Sequence, residues 1–238
     1  VPGPLGTLSS WRIPGGTTWA VIVHGRGVER YEGLRIAEVL ADLGLTVALP
    51  VYRNDPGAPA SPDGLYHLGD TEWEDVRAVV AHARAHGAER LVLIGHSTGG
   101  AIVQALLDRA PAAEVASVVG TILDAPVLDW RAVIRLQARL RRVPAPVAAL
   151  ATRSAGRRAG IDWDGLDVRR DPGRLRLPTL LILSDGDRTV PLAPALELAA
   201  ARPDVVRLER FPEADHVRAW NADPQRYAAI VARFVGGL

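Results

Sequence analysis

Short apolar runs alternate with amphipathic stretches from residue 17 to the end of the chain. Residues 18–24 (Thr18-Trp19-Ala20-Val21-Ile22-Val23-His24), 45–51, 90–95, 117–123, 178–183 and 205–211 are rich in leucine or β-branched residues and bounded by Gly, Pro or Asp. Strands covered on both faces read this way, because neither side needs a polar half to its pattern. Between them the spacing predicts helices over 31–43, 71–86, 99–110, 192–201 and 224–235. Thr71 and Glu74 form an expected capping box for the second helix. Asp223-Pro224 supplies an N-cap and then a proline at the first helical turn, where its missing N–H is no loss. Strand–helix alternation of this kind implies an α/β fold: a mainly parallel sheet, right-handed crossovers and helices on both faces.

Two segments break the alternation. Residues 53–70, with Pro56, Pro59 and Pro62, read as a long loop of a length more often functional than idle. Residues 128–176 read as a small helical insertion in a single domain spanning 1–238. Within it Arg131, Arg135 and Arg139 recur every four positions, and Val133, Leu136 and Leu140 fall on another side of the same helix. The insertion holds 12 Arg against 5 Asp and no Glu, a net of +7 in a chain whose total is only +1.

Composition narrows the chemistry. Hydrophobic residues at 48% and charged residues at 23% are ordinary globular values, so a packed core is expected. No cysteine is present, which removes disulfides, thiolate nucleophiles and thiolate metal sites. All 28 basic residues are Arg. Without Lys, a phosphate-binding Walker loop, a Schiff-base enzyme and a protein kinase all drop out. The balanced charge and 5% aromatic content argue against a nucleic-acid partner. His82 and His86 share helical i, i+4 spacing, but no adjacent Glu and no third ligand accompany them, so neither a metal nor a cofactor is expected. No signal-peptide pattern opens the chain, and a cytoplasmic location is expected. Association with a membrane surface, through the Arg-rich insertion or a segment upstream of this sequence, is the alternative.

The segment Leu91-Val92-Leu93-Ile94-Gly95-His96-Ser97-Thr98-Gly99-Gly100 carries the reaction chemistry. It places G-x-S-x-G between a buried strand and a helix. Such a turn thrusts the serine hydroxyl out at the carboxyl end of the sheet. Ser97 needs a base, and His216 follows the last strand and precedes the last helix, at the same sheet edge. His24 and His96 sit in turns beside the centre and are expected to shape them. An orienting acid should leave the end of the run at 178–183, where both Asp185 and Asp187 stand. The D-x-x-V-P arrangement favours Asp187, and leaves Asp185 as a turn residue bonding its own backbone. The order Ser97, Asp187, His216 fits a catalytic triad of this fold. The Thr98 and Arg26 amides are the expected oxyanion donors.

These motifs, H-G-x-G at His24–Gly27, G-H-S-x-G-G at the elbow and D-x-x-V-P at Asp187, resemble the α/β-hydrolase superfamily over nearly the whole chain. Asp124-Ala125-Pro126 and Thr71-Glu72-Trp73-Glu74-Asp75-Val76 are similar to the bacterial prolyl oligopeptidase-like and membrane-anchored acyl-lipid hydrolase branch. The resemblance implies the α/β-hydrolase fold with a helical lid at 128–176, and a serine hydrolase acting on a small-molecule ester or thioester. Members of that branch carry further residues upstream, so one or two antiparallel edge strands are expected to be short or missing here. A peptidase, an acyltransferase or a ligand-binding relative without turnover remain the alternatives, because fold alone does not choose among them. The oligomeric state is not legible.

Overall fold

Each of the six apolar runs forms a strand, and all six lie parallel in one sheet. The structure is a computed structural model describing residues 1–238. In chain order the strands are β1 (Pro2–Gly3), β2 (Gly6–Thr7), β3 (Ser10–Ile13), β4 (Thr18–Val23), β5 (Thr46–Pro50), β6 (Arg90–His96), β7 (Val118–Asp124), β8 (Thr179–Ser184) and β9 (Val206–Phe211). β1 and β2 form a separate small hairpin. The main sheet runs β3-β5-β4-β6-β7-β8-β9, with β6 at its centre. Only β3 is antiparallel, pairing with β5 at the edge. The apolar runs do not predict β3, because its four residues include exposed Trp11 and Arg12. One antiparallel edge strand is therefore present, short as expected.

Period-two alternation splits the core in two. Val21, Val23, Leu91 and Leu93 point to one face of the sheet, and Ala20, Ile22, Val92 and Ile94 to the other. The first face is covered by α2 (Trp73–Ala85), α3 (Thr98–Arg109) and α7 (Ala193–Ala201) through Val76, Val80, Ile102, Leu106 and Leu198. The second is covered by α1 (Leu34–Asp42) and α9 (Pro224–Gly236) through Ile36, Leu40, Ile230 and Phe234. Each such Leu or Ile, fully buried, contributes about 1.5–3 kcal/mol. Two one-turn helices, α4 (Ala112–Val115) and α8 (Ala219–Ala222), were not expected.

Between β7 and β8 the insertion folds as a hairpin of α5 (Trp130–Leu140) and α6 (Ala145–Ala159). Gly160, at φ 66, closes α6 in the left-handed conformation, and Ile161 N–H reaches back to the Gly156 carbonyl. Trp130, Val133, Trp163 and Leu166 seat the hairpin against Ala101 and Ala105 of α3. No helix is long and apolar enough to cross a membrane.

Helix caps divide between expected and corrected. Asp223 caps α9, its carboxylate accepting from the Arg226 N–H. The Thr71–Glu74 box does not form: α2 starts after Glu72 without a side-chain cap, and the Thr71 hydroxyl is buried without a partner. The 53–70 loop draws the carboxylates away. Glu72 accepts from the His67 and Gly69 amides at 2.6 and 2.8 Å, and Glu74 accepts from Arg53 at 2.8 Å.

Candidate active site

β6 ends at His96 and α3 begins at Thr98, so Ser97 alone turns the chain, at φ 52 and ψ −116. A residue with a side chain rarely adopts that pair, and holding it costs about 1–3 kcal/mol. The glycines around it answer to crowding. A Cβ on Gly95 would lie 2.6 Å from Gly100 Cα, and one on Gly99 would overlap the Val23 carbonyl. The turn is also tied to the strand beside it: Ser97 N–H donates to the Asp124 carbonyl and Val127 N–H to the Ser97 carbonyl, both at 3.0 Å.

The fold brings three of the expected residues together at this edge. His216, in the loop after β9, has Nε2 2.9 Å from Ser97 Oγ and Nδ1 2.6 Å from Asp187 Oδ2. The Asp187 side chain is 2% exposed and that of His216 19%, so the acid is sealed in while the ring keeps an edge in the cleft. Asp187 Oδ1 accepts from the Thr189 and Val190 amides at 2.7 and 2.8 Å, which aims Oδ2 at the imidazole. The turn role expected of Asp185 thus belongs to Asp187. Asp185 instead accepts from Arg210 Nε at 2.9 Å, because the neighbouring strand β9 carries that guanidinium within reach.

Arg26 and Thr98 both line the cleft at Ser97, and neither backbone N–H has a partner among the turn and cap hydrogen bonds. Thr98 is the first residue of α3, so its N–H is one of the donors a helix start leaves free. His24 shapes the Arg26 turn as expected. Its Nε2 lies 3.0 Å from Asp55 Oδ2 and its ring stacks on Tyr52, which anchors the turn to the 53–70 loop. His82 and His86 stack at the end of α2 with no third ligand group, and His86 Nδ1 donates to the His82 carbonyl.

Above Ser97 opens a cleft of about 1000 Å³. The 53–70 loop contributes Leu65 and Leu68, α5 contributes Trp130, Val133 and Ile134, and α6 contributes Ala155. Glu32 and Tyr66 also border it, and nothing in their local sequence marks them.

Two buried titratable groups flank the elbow. His96 makes no hydrogen bond through either ring nitrogen, and burial first, then nearby His24, drives its pKa down to about 4. Asp124, at the end of β7, has one oxygen accepting from Tyr227 Oη at 3.0 Å and the other unpartnered. Burial raises its pKa to about 7, partly opposed by the Tyr227 hydrogen bond. An acid whose pKa is higher folded than unfolded binds more protons when folded, so its contribution to stability falls as pH rises from about 4 to about 7. Asp124→Asn removes that loss, whereas His96 is common to both proteins. The melting temperature of the variant minus that of the wild type should therefore grow by several degrees between pH 5 and pH 8, at roughly 2–4 °C per kcal/mol. Parallel melting curves across that range would refute the assignment.

Among solved structures the chain is similar to an esterase of Pyrococcus furiosus, at 19% identity over 96% of this chain and 87% of that one, with a TM-score of 0.76. A monoacylglycerol lipase of Paleococcus ferrophilus aligns at 16% identity over 96% and 98%, with a TM-score of 0.68. An esterase of Thermogutta terrifontis aligns at 17% identity over 97% and 93%, with a TM-score of 0.67. At these identities the likeness is one of fold. No curated protein sequence matches. The alpha/beta hydrolase family profile matches residues 20–230, from the first parallel strand into the last helix, and the chain belongs to that family.

Proposed function

We propose that the protein hydrolyses carboxylic esters through Ser97 as nucleophile, His216 as base and Asp187 as the orienting acid. The observation that carries the reading is the relay of 2.9 and 2.6 Å contacts from Ser97 Oγ through His216 to Asp187, at the floor of an apolar cleft. As Ser97 Oγ bonds to the ester carbonyl carbon, His216 Nε2 takes the hydroxyl proton. The carbonyl oxygen becomes an oxyanion, held by the Arg26 and Thr98 amides. His216 then passes its proton to the departing alkoxide as the carbon–oxygen bond breaks. Water repeats the sequence on the acyl-enzyme and releases the acid.

The α5–α6 hairpin acts as a lid, since Trp130, Val133 and Ile134 roof the cleft with apolar side chains. A cleft of this size suits a medium or large acyl group better than acetate. The similar solved structures are esterases and a monoacylglycerol lipase, which supports ester chemistry. Within the family, Asp124-Ala125-Pro126 and the Thr71–Val76 segment favour kinship with the prolyl oligopeptidase-like and acyl-lipid hydrolase branch.

A p-nitrophenyl ester series from acetate to a long acyl chain tests this reading, alongside a fluorophosphonate probe with the labelled peptide mapped by mass. The expected result is label on Ser97 and a kcat/KM that rises beyond acetate. Labelling without ester turnover would move the substrate to a thioester or peptide. A folded protein with neither would leave a ligand-binding member of the family.

A further inference from the structure

Next to the cleft over Ser97, and sharing part of its wall, the two helices of the insertion enclose a second groove of about 800 Å³ that Ser97 does not line. Arg131, Arg135 and Arg139 line it from α5, and Arg153 and Arg157 face them from α6. Spacing by four puts each set on one helix stripe. The floor is apolar and includes Ile134, Ile161 and Trp163, side chains that also wall the cleft over Ser97. Carboxylates satisfy only part of the cation ring. Asp164 pairs with Arg131, and Asp129 pairs with Arg135, each carboxylate being shared with a further arginine. Arg139, Arg153 and Arg157 make no salt bridge.

A second feature adjoins the groove. Leu140, Val143, Val147 and Leu150 are four of the nine exposed large hydrophobic residues of the whole chain, and all lie within the hairpin. Leu150 is 67% exposed and Val147 54%. These apolar side chains stand in water beside arginines that have no carboxylate partner. Together the two features match a lipid surface, whose acyl chains take the apolar tip and whose phosphates take the guanidinium forks. A free anion would account for the groove and leave the tip unexplained. Stable attachment needs two signals, and the hairpin carries an apolar one and a cationic one.

We infer that the α5–α6 hairpin docks on an anionic lipid surface, with a lipid phosphate held in the groove by Arg139, Arg153 and Arg157 and the Leu140–Leu150 tip seated among the acyl chains. The docking does not depend on the ester reading. If both hold, the shared wall of Ile134, Ile161 and Trp163 lets a surface-bound state bear on the shape of the cleft.

Vesicle co-sedimentation at physiological salt tests the docking, comparing phosphatidylglycerol-containing vesicles with pure phosphatidylcholine. Wild type should bind the anionic vesicles and leave the zwitterionic ones. The triple variant R139Q/R153Q/R157Q should bind about a hundredfold more weakly, at about 1 kcal/mol for each arginine near the surface. V147S/L150S should lose at least tenfold through the lost apolar contact. Both variants alter exposed positions outside the Ser97 cleft, so p-nitrophenyl acetate turnover and melting temperature should match wild type and report separately on activity and folding. Equal binding to both vesicle types, no binding to either, or unchanged binding by the triple variant would each overturn the proposal. Protection by inorganic phosphate without vesicle binding would overturn it in favour of a free-anion site.

Discussion

Ser97→Ala should lower ester turnover by about six orders of magnitude while leaving the fold and substrate affinity nearly intact. In the proposed reaction the hydroxyl oxygen bonds to the substrate, and its proton is the one His216 Nε2, 2.9 Å away, is placed to take. Ser97→Gly should lose as much turnover and differ in stability. At φ 52 and ψ −116 a Cβ is strained, and glycine enters that conformation without penalty. The glycine variant should therefore exceed the alanine variant by about 1 kcal/mol, or roughly 2–4 °C in melting temperature for a chain of this size. That pairing would show the elbow trading stability for an exposed nucleophile. Turnover above about one per cent in Ser97→Ala would remove Ser97 from the mechanism, whatever the melting curves did.

Asp187→Asn is expected to cut kcat by about four orders of magnitude, with KM little changed. The reason lies in what the two carboxylate oxygens do. Oδ1 accepts from two backbone amides, Thr189 and Val190, and Oδ2 faces His216 Nδ1. An asparagine must keep its one oxygen toward the two amides, which turns its NH₂ group toward the imidazole. Nδ1 then has to accept, the ring proton moves to Nε2, and that nitrogen can no longer take the serine proton. The same substitution at Asp185, which faces Arg210, should cost less than tenfold. A large loss at Asp185 and a small one at Asp187 would reverse the assignment of the acid.

Much of this arrangement is legible along the chain because it depends on local rules. Five of the six parallel strands are buried on both faces, so Leu91-Val92-Leu93-Ile94 carries an unbroken apolar run that stands out from its surroundings, whereas β9, at the edge, is only half-buried and carries Arg207, Glu209 and Arg210. The elbow is equally local, since Gly95, Ser97 and Gly99 meet within a single turn and only small residues fit there. What failed to show was of another kind. β3 is half exposed and pairs at an edge, so its apolar content stays low. The Thr71–Glu74 box obeys the local rule and still does not form, and the Glu74 carboxylate is taken instead by Arg53 from outside the helix. Asp185 and Asp187 offered the same local chemistry. Their roles separated only when β9 brought Arg210 to one and the loop after it brought His216 to the other.

The sequence by itself determined the strand–helix alternation, the sharp turn at Ser97 and the chain order of Ser97, Asp187 and His216. Each of these follows from periodicity or sterics acting over a few residues. The tertiary structure decided the register that sets Ser97 2.9 Å from His216 across 119 positions of chain, and which carboxylate meets His216 Nδ1. It also decided that the arginine stripes of α5 and α6 face each other across a groove. Helix periodicity shows that Arg131, Arg135 and Arg139 share a face, but what a face meets depends on how helices pack, and that is a property of the whole chain.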